Sequence, residues 1–92
     1  MLPPFSIIIP VYNESENVGP LAREILSVLP DDAQFEVIFI DDASTDDTAS
    51  QVLAIRAEDP RVRLVRHRRN AGQSAGIRNG ATIAAYDWVV TM

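Results

Sequence analysis

The residues able to do chemistry fall in three short blocks. Pro10-Val11-Tyr12-Asn13-Glu14 follows one apolar run, Asp41-Asp42 ends another, and Asn70-Ala71-Gly72-Gln73 opens a polar, glycine-bearing stretch that reaches Arg78. The carboxylates of Glu14, Asp41 and Asp42 can accept hydrogen bonds from the ring N–H or exocyclic amino groups of a nucleobase, or from ribose hydroxyls. Tyr12 offers a flat face on which a base can lie. Clustered acids repel a bare pyrophosphate, so a diphosphate ligand would need a divalent cation or an arginine nearby. The plain alternative is structural. Asp41 and Asp42 would then only cap the next helix and tie its turn, a reading stronger for Asp41 than for Asp42, and Glu14 would simply be exposed.

Other chemistries lack their residues. No G-x-G-x-x-G follows the first apolar run, which argues against a dinucleotide fold of the NAD type. All eight basic residues are arginine, so neither a Walker-type phosphate lysine nor a Schiff-base lysine is available. There is no cysteine, no histidine cluster for zinc and no serine in a nucleophile-elbow context. His67 is the one histidine, set among Arg66, Arg68 and Arg69. A lone histidine in that setting reads as solvent-exposed. Gly72, Gly76 and Gly80 recur every fourth residue, which reads either as a helix entry and a smooth face for close packing or as close approach of the backbone to a ligand near Gly72.

These blocks must be positioned by the elements between them. Phe5 to Val11 and Phe35 to Ile40 are continuous apolar runs, as in strands covered on both faces of a parallel sheet. Between them a helix is expected from Glu16 to about Leu29, with Ser15 as N-cap, Pro20 in the first turn and Pro30 as the stop. Ser44 or Thr45 is expected to cap a second helix, with Ala49, Val52, Leu53 and Ala57 on one face and Asp59-Pro60 at its end. Val62 to Val65 alternates with arginine, which places a third strand at a sheet edge. The segment from Asn70 to Gly76 opens a third helix running to about Ala85, and Trp88 to Met92 begins a fourth strand. The order βαβαβαβ predicts an α/β fold: a parallel sheet with right-handed crossovers and helices on both faces. In such sheets ligands bind beyond the carboxyl ends of the strands, where all three blocks fall.

Composition is compatible with one small globular domain, with 47% apolar and 23% charged residues. No apolar run approaches the roughly 20 residues of a membrane span, and the N-terminus lacks the form of a secretory signal. The absence of cysteine fits a reducing compartment. Net charge is −5, unevenly spread. Residues 1–59 hold twelve acids against two arginines, and residues 60–92 hold six arginines against one acid. The acidic part argues against general nucleic-acid binding. The basic part is either a solvated face or a site for a phosphate or lipid head group.

Taken in order, Ser6-Ile-Ile-Ile-Pro-Val-Tyr-Asn-Glu14, Val37-Ile-Phe-Ile-Asp-Asp-Ala-Ser-Thr-Asp46 and Asn70-Ala-Gly-Gln-Ser-Ala-Gly-Ile-Arg-Asn-Gly80 resemble glycosyltransferase family 2, with its GT-A fold. The arginine-rich lead into Asn-Ala-Gly-Gln is most similar to the polyprenyl- and dolichol-phosphate sugar transferases. The resemblance implies a UDP- or GDP-sugar donor, with Pro10, Tyr12 and Glu14 bordering the nucleotide and Tyr12 near the base. It implies Asp42 on the base or ribose, Asp41 in support of the turn, and Gly72, Gln73 and Arg78 lining or bracing the cleft. Ala43 stands where the family commonly has glycine. The acceptor implied is a lipid phosphate or growing glycan, and the location cytoplasmic, at the inner face of a membrane for the intact protein. Mg²⁺ or Mn²⁺ is expected for the intact enzyme, held by an Asp-x-Asp motif after the fourth strand. That motif lies beyond these 92 residues, so the chain reads as the N-terminal, donor-binding part of a domain, inactive alone, with no metal ligands or catalytic residues of its own. An exposed strand around Trp88 to Val90 is expected to self-associate. Two rivals remain. A response-regulator receiver would need acids at the first strand and a lysine at a later one, whereas this chain's acidic pair follows the second strand and lysine is absent. A non-catalytic nucleotide-binding or interaction module would bind a donor without turnover.

Overall fold

The computed structural model describes residues 3–92. The seven elements are β1 (Phe5–Val11), α1 (Ser15–Val28), β2 (Phe35–Asp41), α2 (Thr48–Glu58), β3 (Val62–Arg66), α3 (Gln73–Ile83) and β4 (Trp88–Thr91). All strand pairs are parallel, in the order β3-β2-β1-β4. The chain lays down β1, β2 and β3 side by side, then returns across the sheet to place β4 on the other flank of β1. Right-handed crossovers put α1 and α2 on one face, and the reversal puts α3 on the other.

Strand β2 is central and buried along its whole length. Its two-residue alternation divides the core. Phe35, Val37 and Phe39 join Ile7, Ile9 and Val11 under α1 and α2, against Val18, Ala22, Ile25, Val52 and Ile55. Ile38 and Ile40 join Ile8 under α3. β3 lies at an edge, as its arginine alternation implies, and β4 forms the opposite edge. Trp88 is 65% exposed, and with Pro3, Phe5 and Val90 it lines an apolar hollow.

Helix boundaries follow local chemistry more than the nearest capping residue. α1 begins one residue early, with Glu14 at the N-cap. α2 begins at Thr48 rather than beside Ser44, because Ser44 turns back onto Asp41 and Asp46 takes the Thr48 N–H instead, at 2.9 Å. Its buried face is Thr48, Ala49, Val52 and Ile55, leaving Leu53 exposed. Residues three and four apart share a helix face, so Ile55 fits with Val52 and Leu53 does not.

The α3 face also buries a charge. Glu36 accepts from Ser6 Oγ at 2.6 Å, Arg63 Nη1 at 2.7 Å and the Ala85 N–H at 2.6 Å. Burial opposes its ionisation, yet the hydrogen bonds from Ser6, Arg63 and Ala85 outweigh that and hold its pKa below the usual carboxylate value. Arg63 also donates to the Ile83 carbonyl at 3.3 Å, so this cluster closes the C-terminal end of α3.

α3 itself approaches the sheet through glycine. A Cβ on Gly80 would meet Ile8 Cγ2 at 2.6 Å, and one on Gly76 would meet Ile40 and Pro10 at 3.4 Å. Ile8 is fully buried in β1 and has nowhere to move. Gly80→Ala should therefore overpack the interface by about 1–3 kcal/mol, offset in part by about 1 kcal/mol of helix propensity. Gly19→Ala meets only the flexible end of Arg23 and should be neutral or stabilising. Urea midpoints of the two variants should move apart, Gly80→Ala downward.

Candidate functional site

The register Val11↔Asp41 brings the carboxyl ends of β1 and β2 side by side. The two loops that leave these ends are stitched together. The Asn13 N–H donates to Ser44 Oγ at 2.9 Å, and Asn13 Oδ1 accepts the Thr45 N–H at 2.9 Å. The Glu14 N–H donates to Thr48 Oγ1 at 3.0 Å. Asn13 and Ala43 both adopt positive φ, at 51° and 61°. Asparagine tolerates that region, but alanine gives up about 1–2 kcal/mol there, which gives the common glycine at this position a physical reason.

Asp41 and Asp42 have separate surroundings. Strand alternation turns Asp41 toward α1 and α2, where it is fully buried. Its Oδ1 accepts the Ser44 N–H at 3.1 Å and the Ser44 hydroxyl. Arg66 Nε lies 3.4 Å from Oδ2, close enough to pair charges but without hydrogen-bond geometry, and no other described group satisfies that oxygen. Asp41 thus anchors the turn.

Asp42 leaves the strand and meets the loop between β3 and α3. Its Oδ1 accepts from His67 Nδ1 at 2.8 Å and the Ala71 N–H at 2.7 Å, and its Oδ2 accepts the Gly72 N–H at 3.1 Å. Its carbonyl accepts from Asn70 Nδ2 at 2.6 Å. The His67 bond and the Ala71 and Gly72 amides draw its pKa down from 3.8 to about 2. An ionised carboxylate has about four lone-pair sites. Three are taken, and the one left belongs to Oδ2.

An open cleft of about 280 Å³ lies beside this carboxylate, lined by Pro10, Val11, Tyr12, Glu14, Asp42 and Gln73. Tyr12 is 47% exposed at its rim. Glu14 holds Asn17 Nδ2 at 2.6 Å. Gly72 contributes through its amide on Asp42 rather than as lining, at a φ of 90° that favours glycine. Arg78 is exposed on α3 and is not part of the lining. Of the residues singled out from sequence, the fold brings Pro10, Tyr12, Glu14, Asp42 and Gln73 together. Asp41 sits beneath them, and Arg78 stands apart.

His67 departs from expectation. Its side chain is only 10% exposed, wedged between Asp42 and Asn79 Nδ2, which lies 2.9 Å from Nε2. The missed signal was register. Asp41 pairs with Arg66 across β2 and β3, so residues 42 and 67 come next on each strand. Among the described residues no group of three histidine, cysteine, aspartate or glutamate side chains could hold a metal ion. Asp41 is buried beneath the cleft and Asp42 already takes three protein donors, so with Glu14 they do not make a metal cage.

Comparison with known proteins gives this geometry a family. The profile described as Glycosyl transferase family 2 matches residues 6–92. The undecaprenyl-phosphate 4-deoxy-4-formamido-L-arabinose transferase of Sodalis glossinidius is 40% identical over 90 residues, covering 95% of this chain and 27% of the relative. The dodecaprenyl-phosphate galacturonate synthase of Rhizobium johnstonii is 32% identical over 89 residues, covering 95% of this chain and 26% of that protein. The chain thus spans about a quarter of the length of the curated relatives it matches. Among solved structures, the mannosyltransferase PcManGT from Pyrobaculum calidifontis, in complex with GDP-Man and Mn²⁺, superposes with a TM-score of 0.82 at 27% identity, covering 92% of this chain and 25% of that one. TarS of S. aureus, in complex with UDP, superposes at 0.80 and 24% identity over 96% of this chain and 26% of its own, a likeness of fold alone. The parallel sheet with helices on both faces is that of the GT-A glycosyltransferases, and the chain belongs to glycosyltransferase family 2.

Proposed function

We propose that these residues form the donor-nucleotide site of a glycosyltransferase that moves a sugar from a UDP- or GDP-sugar to a lipid phosphate or glycan. The observation that carries this reading is the cleft between β1 and β2, where Tyr12 stands at the rim and the ionised Asp42 keeps one acceptor free. Tyr12 stacks on the base. Asp42 Oδ2 accepts from a base N–H or a ribose hydroxyl. Pro10, Glu14 and Gln73 border the nucleotide, Gly72 shapes the loop, and Asp41 supports the turn from below. Arg78, exposed on α3 and outside the lining, takes no part in this reading. The relatives named for polyprenyl phosphates support a lipid-phosphate acceptor, reached at the inner face of a membrane. No described helix is long and apolar enough to cross one.

Mg²⁺ or Mn²⁺ would neutralise the leaving diphosphate in the intact enzyme, and the Mn²⁺ held by PcManGT supports that expectation. The described residues assemble no cluster to hold it. In this reading catalysis and metal binding belong to other parts of the whole protein, and these residues serve donor binding.

Calorimetric titration of the 92-residue chain with UDP and GDP, with and without Mn²⁺, tests the site. At least one nucleotide should bind. Tyr12→Ala should weaken it by about 1–3 kcal/mol, the loss typical of one stacked base, and Asp42→Ala should weaken it as well. Sugar transfer by the same preparation should be undetectable. Binding unchanged in both variants would remove the site from this cleft.

The charge of Asp42 sets a pH window. Its pKa is depressed by folding, so its stabilising bonds are in full force above its ordinary value of 3.8 and are lost as pH falls through about 2. The stability gap between the wild type and Asp42→Asn should narrow as pH falls below about 4 and close near 2. Urea midpoints across that range measure it.

The β4 edge generates a separate expectation. Trp88, Val89 and Val90 are exposed, and one side of the strand lacks a partner among the described residues. An apolar edge free of charge and proline is a template for pairing. The isolated chain should self-associate at high concentration in light scattering, and Val90→Lys should reduce the apparent mass. A strictly monomeric wild type would contradict this.

A further inference from the structure

Asp42 can serve a ligand only if its carboxylate is held in one orientation, and the bonds that hold it are unequal. Ala71 and Gly72 donate from a loop whose residues are exposed. His67 donates from a fixed base. Its own N–H bonds the Asp41 carbonyl at 2.9 Å, continuing the pairing of β3 with β2. Its ring is nearly enclosed, with Asp42 Oδ1 on Nδ1 and Asn79 Nδ2 on Nε2.

The protons on that ring follow from its partners. An ionised carboxylate only accepts, so Nδ1 carries hydrogen. The Asn79 amide nitrogen only donates, so Nε2 accepts from it. The chain Asn79–His67–Asp42 thus runs in one direction, from the middle of α3 to just past the end of β2. A metal-bound histidine is oriented in the same way by the group on its second nitrogen. Here the oriented group is the carboxylate.

We propose that His67 is a positioning residue for nucleotide recognition: its Nδ1–H fixes the Asp42 carboxylate so that the remaining acceptor site on Oδ2 stays at the cleft. This rests on the reading of that cleft as the nucleotide site. It also gives the lone histidine of a basic stretch a role independent of its charge. The neutral ring suffices, because a single donor at Nδ1 does the work.

Two substitutions separate a donor from a filler. Asparagine places its amide nitrogen near the position of Nδ1 but is much smaller than histidine. Glutamine is close to histidine in volume, but its amide nitrogen falls near the position of Nε2. If His67 merely fills space, glutamine is the better replacement; if it donates to Asp42, asparagine is. In calorimetry of the full 92-residue chain with UDP and GDP, His67→Gln should weaken the nucleotide that binds by about tenfold, the order expected for one hydrogen bond to a charged acceptor. His67→Asn should stay within about twofold of the wild type. Equal loss in both, or no loss in His67→Gln, would overturn the proposal and leave the cleft reading intact. If the wild type binds neither nucleotide, the cleft reading fails, and spectroscopy decides the positioning claim. ¹⁵N shifts should show hydrogen on Nδ1, and exchange of the Ala71 and Gly72 amides should quicken in His67→Gln but not in His67→Asn. A ring protonated on Nε2 alone, or amide exchange indifferent to both substitutions, would refute it.

Discussion

Helix α3 is pinned at its two ends by two carboxylates of one strand, and the ligand edge depends on that arrangement. Asp42, just past the carboxyl end of β2, takes the Ala71 and Gly72 amides at the start of α3. Glu36, near the amino end of β2, takes the Ala85 amide at its finish, and Arg63, paired with Glu36, reaches the Ile83 carbonyl. The lengths agree. Six strand steps from residue 36 to 42 span about 20 Å, and eleven helical residues span about 16 Å before the flanking turns are added. The polarity agrees too. The Asp42 carboxylate stands at the positive end of the helix, a favourable placement, and at the negative end the Arg63 guanidinium offsets the charge of Glu36. α3 needs this help because its buried residues are Gly76 and Gly80, which offer closeness rather than apolar area.

That closeness has a consequence for the site. Glycine at 76 and 80 lets α3 lie against Ile8, Pro10 and Ile40. Pro10 lines the cleft on the same stretch of β1, and Gln73 begins α3 on its other side. A bulkier helix would stand farther from β1 and widen the space between Pro10 and Gln73. The packing constraint on the core and the shape of the cleft are therefore one constraint, expressed at two distances along α3.

Much of the fold was legible because its signals are local. Unbroken apolar runs marked β1 and β2 as buried strands, the arginine alternation marked β3 as an edge, and Pro30 and Pro60 bounded the helices. The start and the buried face of α2 were not legible. Ser44 looks like a cap by type, but the fully buried Asp41 outbids a helix N-terminus for its hydroxyl. The carboxylates and aromatic that gather at the cleft could be proposed from sequence, since each follows a strand. His67 could not. Its partner is 25 residues away, and spacing alone does not join residues on different strands. Only the register of β2 with β3 brings 42 and 67 together, and register is a property of the assembled sheet.

The same register alters the electrostatics that the sequence implies. Counted along the chain, Glu14, Asp41 and Asp42 are three negative charges gathered against a diphosphate. In the sheet they do not act as one. The two-residue repeat sends Asp41 inward, where Arg66 lies 3.4 Å away, and Asp42 outward, where two amides and a ring N–H spread its charge. Each amide and the helix end behind it offsets part of the negative potential toward the cleft. What faces the cleft is one open acceptor on Asp42 with Glu14 at the margin. A carboxylate that has already met three donors repels an approaching anion less than a bare one does, yet it still accepts the single hydrogen bond that a polar ligand offers. The acidic pair is thus compatible with an anionic ligand because its charge is engaged within the fold before any ligand arrives.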